Sequence, residues 1–400
     1  PILVKSIINS LLIGISVVFF CGCISFPMAI IMAGYRFKGK SVFQGLLLVP
    51  LIMPPFVGAI GIKQIFARFG SLNLLLMKCG ILEQPIDWLG NSGFWGVILL
   101  ETLHLYPIMY LNLVAAISNI DPSLEEAAYN LSASYTAVIK KIIIPLIMPG
   151  FYAGAIITFI WAFTDLGTPI ILNFRETIPV QIYNLVTDMH QNQMGYVLVV
   201  FMAVVTSLFF LISRKVVGKK RYEMLARGHV TSREKSASSP QLILFNLFFT
   251  GIILLALLPH IGVFINSISE RWSNTILPDS FTFEYYGRVF SEKISYISIK
   301  NSFLYSIASV IVDLILGLTI AYLLTRTKIK GKGLLDSLAM LPLSLPGIVL
   351  AFGYVSTYSG TIIDPLNNPT ILLVISYAFR RLPYMARSAY AGFQQSSVYL

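Results

Sequence analysis

The sequence predicts an all-α transmembrane protein built as two parallel, repeated helical bundles. Three observations carry that class. The 400 residues are 56% hydrophobic and only 12% charged, about half the charge of an ordinary soluble domain. Nine apolar runs each approach the roughly 20 residues that cross a bilayer core. The pattern also repeats: adding 292 to a position in the first half lands on its counterpart in the second.

The runs lie near residues 6–34, 43–66, 93–117, 144–165, 195–213, 241–269, 298–325, 334–357 and 370–394. The first holds Cys21 and Cys23, read as small residues facing helix or lipid. With Cys79 the cysteine count is odd and lacks metal-like spacing, so neither a disulfide framework nor a metal site is expected. The second and eighth runs contain VPLIMPP and LPLSLPG, whose prolines remove backbone donors and kink a helix. Three basic loops follow runs one, five and seven: YRFKGK at 35–40, a stretch from Arg214 to Lys235, and RTKIKGK at 326–332. With Lys140 and Lys141 they share one side when the runs alternate, and that side is expected to be cytoplasmic. The net charge of +11 is read as these loops and not as nucleic-acid binding.

Residues 1–213 form the first expected half, 214–240 a cytoplasmic linker, and 241–400 the second half. Asn9-Ser10 matches Asn301-Ser302, Gly39-Lys40 matches Gly331-Lys332, and Gly61 matches Gly353. Six runs separate equivalent points, so the halves run in the same direction. The run 241–269 has no counterpart before Pro1, and Leu400 aligns with Leu124. The first half is thus expected to lack its first span, and the second to stop before its copy of the loop after run three. About nine spans here imply about twelve in the intact protein.

That loop reads LEEAAYNLSASYTAVIKKIIIPL over 124–146. Asp121 or Ser123 is placed to cap a helix, with Glu125 and Glu126 favourable in its first turn. Ala127 and Ala128 keep one face flat, and Pro145 is expected to start the next transmembrane helix. The spacing Glu126-Ala127-Ala128, Ser132, Ile142, Ile144-Pro145 resembles the EAA loop of the permease subunits of binding-protein-dependent ABC importers. Ser132 stands where the family has Gly, and Ile144 where it has Leu. The two-half arrangement, with WAFTDLGTPI at 161–170 and VQIYNLV at 180–186, resembles the iron(III)/thiamine/phosphonate branch.

The resemblance implies a multi-pass permease of the bacterial inner membrane that works by alternating access. Glu125, Glu126, Ala127, Ala128, Ser132, Ile142 and Pro145 would couple it to two copies of an ABC ATPase subunit. An extracytoplasmic substrate-binding protein and membrane lipid are the other implied partners. No catalytic residue, cofactor or ATP site of its own is expected, since ATP would be used by the separate subunit. Ferric iron is favoured by resemblance, with thiamine, phosphonates and polyamines open. The alternative is a secondary transporter driven by an ion gradient, with Glu101, His104 or Asp313 as its ion site.

Charges at membrane depth are costly and face the bundle interior or a partner. Glu101 and His104 fit either a translocation path or a structural hydrogen bond between helices. Asp165 and Thr168, in TDLGTP, fit an outer gate or a plain helix end, because Gly167 and Pro169 would stop the helix there. Asp313 is expected to pair with Arg380, Arg381 or Arg387, or to line the path. Asp188 and His190, in an outer loop, are expected to serve neither metal binding nor catalysis.

Overall fold

A computed structural model describes residues 2–90, 93–185, 193–219 and 234–395. Asp188 and His190 lie outside the described residues, as do residues 220–233 of the basic linker. The chain opens with α1 (Ile2–Gly34) and a two-residue strand β1 (Tyr35–Arg36). Next come α2 (Lys40–Leu46), α3 (Pro55–Phe66), α4 (Ser71–Lys78) and α5 (Phe94–Ser118). Then follow α6 (Pro122–Asn130), α7 (Tyr135–Val138), α8 (Ile144–Thr164), α9 (Gly167–Ile171), α10 (Ile178–Leu185) and α11 (Met194–Lys219). After β2 (Lys235–Ser236) come α12 (Ser239–Ser267), β3 (Ser269–Arg271), β4 (Ser280–Phe281) and α13 (Glu284–Ser291). The last helices are α14 (Lys293–Arg326), α15 (Lys332–Met340), α16 (Gly347–Tyr358) and α17 (Thr370–Gln395).

Among the described residues, six helical stretches are long and apolar enough to cross a membrane: α1, α5, Thr136–Thr164, Met194–Ile212, α12 and α14. The expected second and eighth runs are not simple spans. Lys40–Leu51 and Pro55–Lys78 meet at 96°, and Lys332–Leu343 and Gly347–Tyr358 meet at 99°. Several prolines act together here. Pro50, Pro54 and Pro55 in the first break, and Pro342 and Pro346 in the second, each remove a helix donor and crowd the preceding turn. Short 3₁₀ turns at Val49–Leu51 and Leu341–Ser344 carry the chain round. The ninth expected run forms α17, but it contains Arg380, Arg381 and Arg387 and is not among the six. The structure therefore gives six spans, or eight counting each bent pair as one, where nine were expected. Gly39 and Gly331, 292 residues apart, cap α2 and α15 with φ of 88° and 90°, a conformation that costs glycine little.

The chain packs as two compact units. The first comprises Pro1–Gln181 with Phe209–Thr282, and the second Ile182–Leu208 with Phe283–Leu400. Sequence halves and packing units are different partitions: α12, counted with the second half, belongs to the first unit. In that unit α1, α5 and α8 pack against one another, and α12 packs on α3. Val17, Cys21, Met28, Tyr106, Met109 and Ile147 are buried in its core. Polar groups at this depth are bonded across helices: Ser25 Oγ donates to the Tyr106 carbonyl at 2.8 Å, and Tyr106 donates its hydroxyl to the Leu47 carbonyl at 3.0 Å. In the second unit α14 packs along α17. Ser309 Oγ reaches the Val374 carbonyl at 3.1 Å, and Arg326 the Phe393 carbonyl at 2.9 Å.

Candidate functional site

The polar loop builds a short capped helix and a tight joint. The Asp121 carboxylate accepts the Ser123 N–H at 2.9 Å, with Pro122 in the first turn of α6. That bond holds the Asp121 carboxyl below its usual range. Glu125, Ala128 and Tyr129 are half-buried, whereas Leu124, Glu126 and Ala127 are exposed. Leu131, 83% exposed, extends the apolar part of this surface past the helix end. Ser132 turns the chain with φ of 58°. Its N–H donates to the Tyr129 carbonyl at 2.9 Å, and that of Ala133 to the Ala128 carbonyl at 3.0 Å, closing the helix end. The position where the resembled family has Gly is thus left-handed, and Ser pays a steric cost there. Ser132→Gly is expected to be neutral or better. Ser132→Val, β-branched, should lose about 1–3 kcal/mol of local stability. Hydrogen exchange of the α6 amides would read both.

The expected start of a new helix at Pro145 is replaced by a continuous path. The helix begins at Tyr135, widens into a π turn over Ile139–Ile143, and continues as α8. A proline one turn ahead explains the widening, because its ring would strike the carbonyl four residues back in a regular helix. Ile142 is half-buried in the π turn and Pro145 is exposed.

One stretch bears on the expectation that the chain has no ATP site of its own. Gly34–Ser41 reads GYRFKGKS and satisfies the P-loop spacing GxxxxGK[ST]. Its setting is wrong for a phosphate cradle. A P-loop joins a strand to a helix, whereas here the 33-residue α1 leads in. The Lys40 amine bonds the Tyr35 carbonyl at 3.0 Å and the Glu234 carboxylate at 2.6 Å. The lysine that would meet phosphate is committed to its own chain.

Four of the five polar residues expected at membrane depth come together in the first unit. Glu101, on α5, is 1% exposed and accepts the Thr168 hydroxyl at 2.8 Å. The Thr168 N–H donates to Asp165 at 2.8 Å. TDLGTP therefore does not simply end a helix: α8 stops at Thr164, and α9 begins at Gly167, two residues after Asp165, whose carboxylate bonds its first turn. His104, one turn along α5, bonds the Pro50 carbonyl through Nδ1 at 2.8 Å. In a regular helix that carbonyl would receive the N–H of residue 54, but Pro54 has none. A carbonyl only accepts, so His104 Nδ1 is the donor in this bond. A small cavity beside the break is lined by Pro50, Met53, Pro54, His104, Pro259 and His260. Sequence reasoning missed His260. Its signal was a ring with two polar atoms in the apolar run LLPHIG.

Asp313 lies in the second unit, 8% exposed, and its Oδ1 has no hydrogen-bond partner among the described residues. Of the three arginines expected as its partner, Arg387 bonds Asp336 at 3.0 Å instead, whereas Arg381 lies near enough to act on Asp313 electrostatically.

Long apolar helices, two sharply broken spans and a short capped helix ahead of a span define a polytopic α-helical membrane protein. The family model for the inner membrane component of binding-protein-dependent transport systems matches residues 25–222. The molybdenum transport permease ModB of Haemophilus influenzae is 30% identical over 220 residues, covering 52% of this chain and 91% of that protein. The chain belongs to this family, as a multi-pass protein of the inner membrane. Two ferric transport permeases, FbpB of Actinobacillus pleuropneumoniae and FbpB 1 of Haemophilus influenzae, are 26% and 27% identical over 411 residues. Those alignments cover 98% of this chain, which spans 57% and 62% of the length of the two relatives.

Proposed function

We propose that the chain is the membrane-spanning permease part of an ATP-driven ABC importer, moving a small solute inward by alternating access. The observation that carries this reading is α6 with its joint at Ser132. A flat, partly apolar surface of Leu124, Ala127 and Leu131 stands beside Glu126, on the side whose basic loops mark it as cytoplasmic. Such a surface suits the groove of an ATPase subunit, two copies of which would drive the cycle, while an extracytoplasmic binding protein delivers solute. Glu125, Glu126, Ala127, Ala128, Ser132, Ile142 and Pro145 are the coupling residues of this reading, and no ATP is used by the chain itself. Ferric iron is the favoured solute. Two relatives aligned along 98% of the chain are named ferric permeases, whereas ModB aligns with about half.

The test is copurification with a candidate ABC ATPase subunit, as wild type and as Glu126→Arg. The wild type is expected to retain the ATPase. Charge reversal at the dock should weaken retention at least about tenfold, or ~1.4 kcal/mol, and stop uptake. A wild type that holds no ATPase, with uptake following the proton gradient, would sink the reading.

A further inference from the structure

The end of the linker is tied to α6, and the tie leads directly into α12. Tyr35 and Arg36 pair in parallel with Lys235 and Ser236, and the Ala237 N–H donates to the Arg36 carbonyl at 3.2 Å. Glu234 bonds Lys40 at 2.6 Å. The Lys235 amine stands 4.8 Å from the Tyr129 ring centre and 3.5 Å from the Tyr129 hydroxyl. Tyr129 belongs to α6 and is half-buried, on the side opposite the exposed Ala127. Three residues after Lys235, Ser238 and Gln241 form a capping box that starts α12. From there α12 packs on α3, so tightly that a Cβ at Gly61 would run into the Pro259 carbonyl oxygen. All of this lies within the first unit.

We infer that Lys235 is a positioning residue: it clips α6 to the linker, so that displacement of α6 is passed to α12. The route is short and stiff. A ring-and-ammonium contact holds α6, a paired strand and an ion pair fix the linker, and a capped helix start fixes α12. A loose linker would let α6 move without α12. The transmission part rests on the importer reading, because the displacing agent there is the ATPase; the clip itself does not.

Two hydrogen-exchange measurements on the purified full chain test this. In the first, without ATPase, Lys235→Ala should speed exchange of the α6 amides about two- to fivefold, as expected for a lost cation–π contact at an exposed site. Lys235→Arg should restore it, and Tyr129→Leu should match Lys235→Ala with no further gain in the double variant. Unchanged exchange in Lys235→Ala, or additive effects in the double variant, would overturn the clip. In the second, the complex carries a hydrolysis-deficient ATPase and ATP is added. The wild type should respond at both α6 and α12, and Lys235→Ala at α6 alone. An equal α12 response in Lys235→Ala overturns transmission. A wild type that binds no ATPase refutes the importer reading, and the first measurement still decides the clip.

Discussion

Gly61→Ala is expected to destabilise the protein severely, whereas the same change at its repeat mate Gly353 leaves the fold intact. A Cβ at Gly61 would run into the Pro259 carbonyl oxygen and sit 3.0 Å from the Val263 nitrogen. Both are backbone atoms of α12, so no side chain can swing aside. Gly262 answers from the other helix, where a Cβ would lie 2.8 Å from the Gly61 Cα. To admit one methyl group, α3 and α12 must part along their whole crossing. Overpacking that side chains can relieve costs about 1–3 kcal/mol, and a backbone clash belongs at or above the top of that range. At Gly353 no atom lies within 4 Å of the added carbon, and alanine in place of a helical glycine gains about 0.5–1 kcal/mol. Thermal unfolding of the purified protein separates the two. If Gly61→Ala melts with the wild type, α3 and α12 do not cross this closely.

That pair of glycines also shows what the sequence could carry. The 292-residue offset made them equivalent, and the chain does follow the same bent path at both places. Which of the two touches another backbone depends on α12, and no local pattern specifies that. The prolines predicted a kink, but not a turn of 96°, because three of them act on one stretch. The spacing of the polar loop was legible, and so was the strain at Ser132, since a Gly position in a tight joint points to positive φ. Spacing alone also misleads. GYRFKGKS has the letters of a P-loop, yet its lysine bonds Tyr35 and Glu234. The Glu101–Thr168 bond joins residues 67 apart, and the Lys235–Tyr129 contact residues 106 apart. Contacts of that kind arise from packing and leave no periodic trace.

Glu101 is where the second large effect is expected, and where the two readings of the buried cluster part. The side chain is 1% exposed and accepts the Thr168 hydroxyl, with Asp165 alongside through the Thr168 N–H. Glu101→Leu removes the acceptor and leaves the Thr168 hydroxyl buried without a partner, at about 1–3 kcal/mol. It also puts a hydrocarbon side chain beside the Asp165 carboxylate, an unfavourable neighbour for a polar group. Glu101→Gln keeps the shape and an oxygen for Thr168, so its melting should stay close to wild type. Uptake of the proposed solute, ferric iron, by cells then decides the role. A group that binds the solute or a driving ion needs its charge, and Gln would abolish transport in a folded protein. A tie between α5 and α9 needs only the hydrogen bond. The closed geometry around Glu101 favours the tie. Glu101→Gln is therefore expected to transport as wild type, and Glu101→Leu to lose transport together with its fold. A folded but inactive Glu101→Gln would move Glu101 onto the path of the solute.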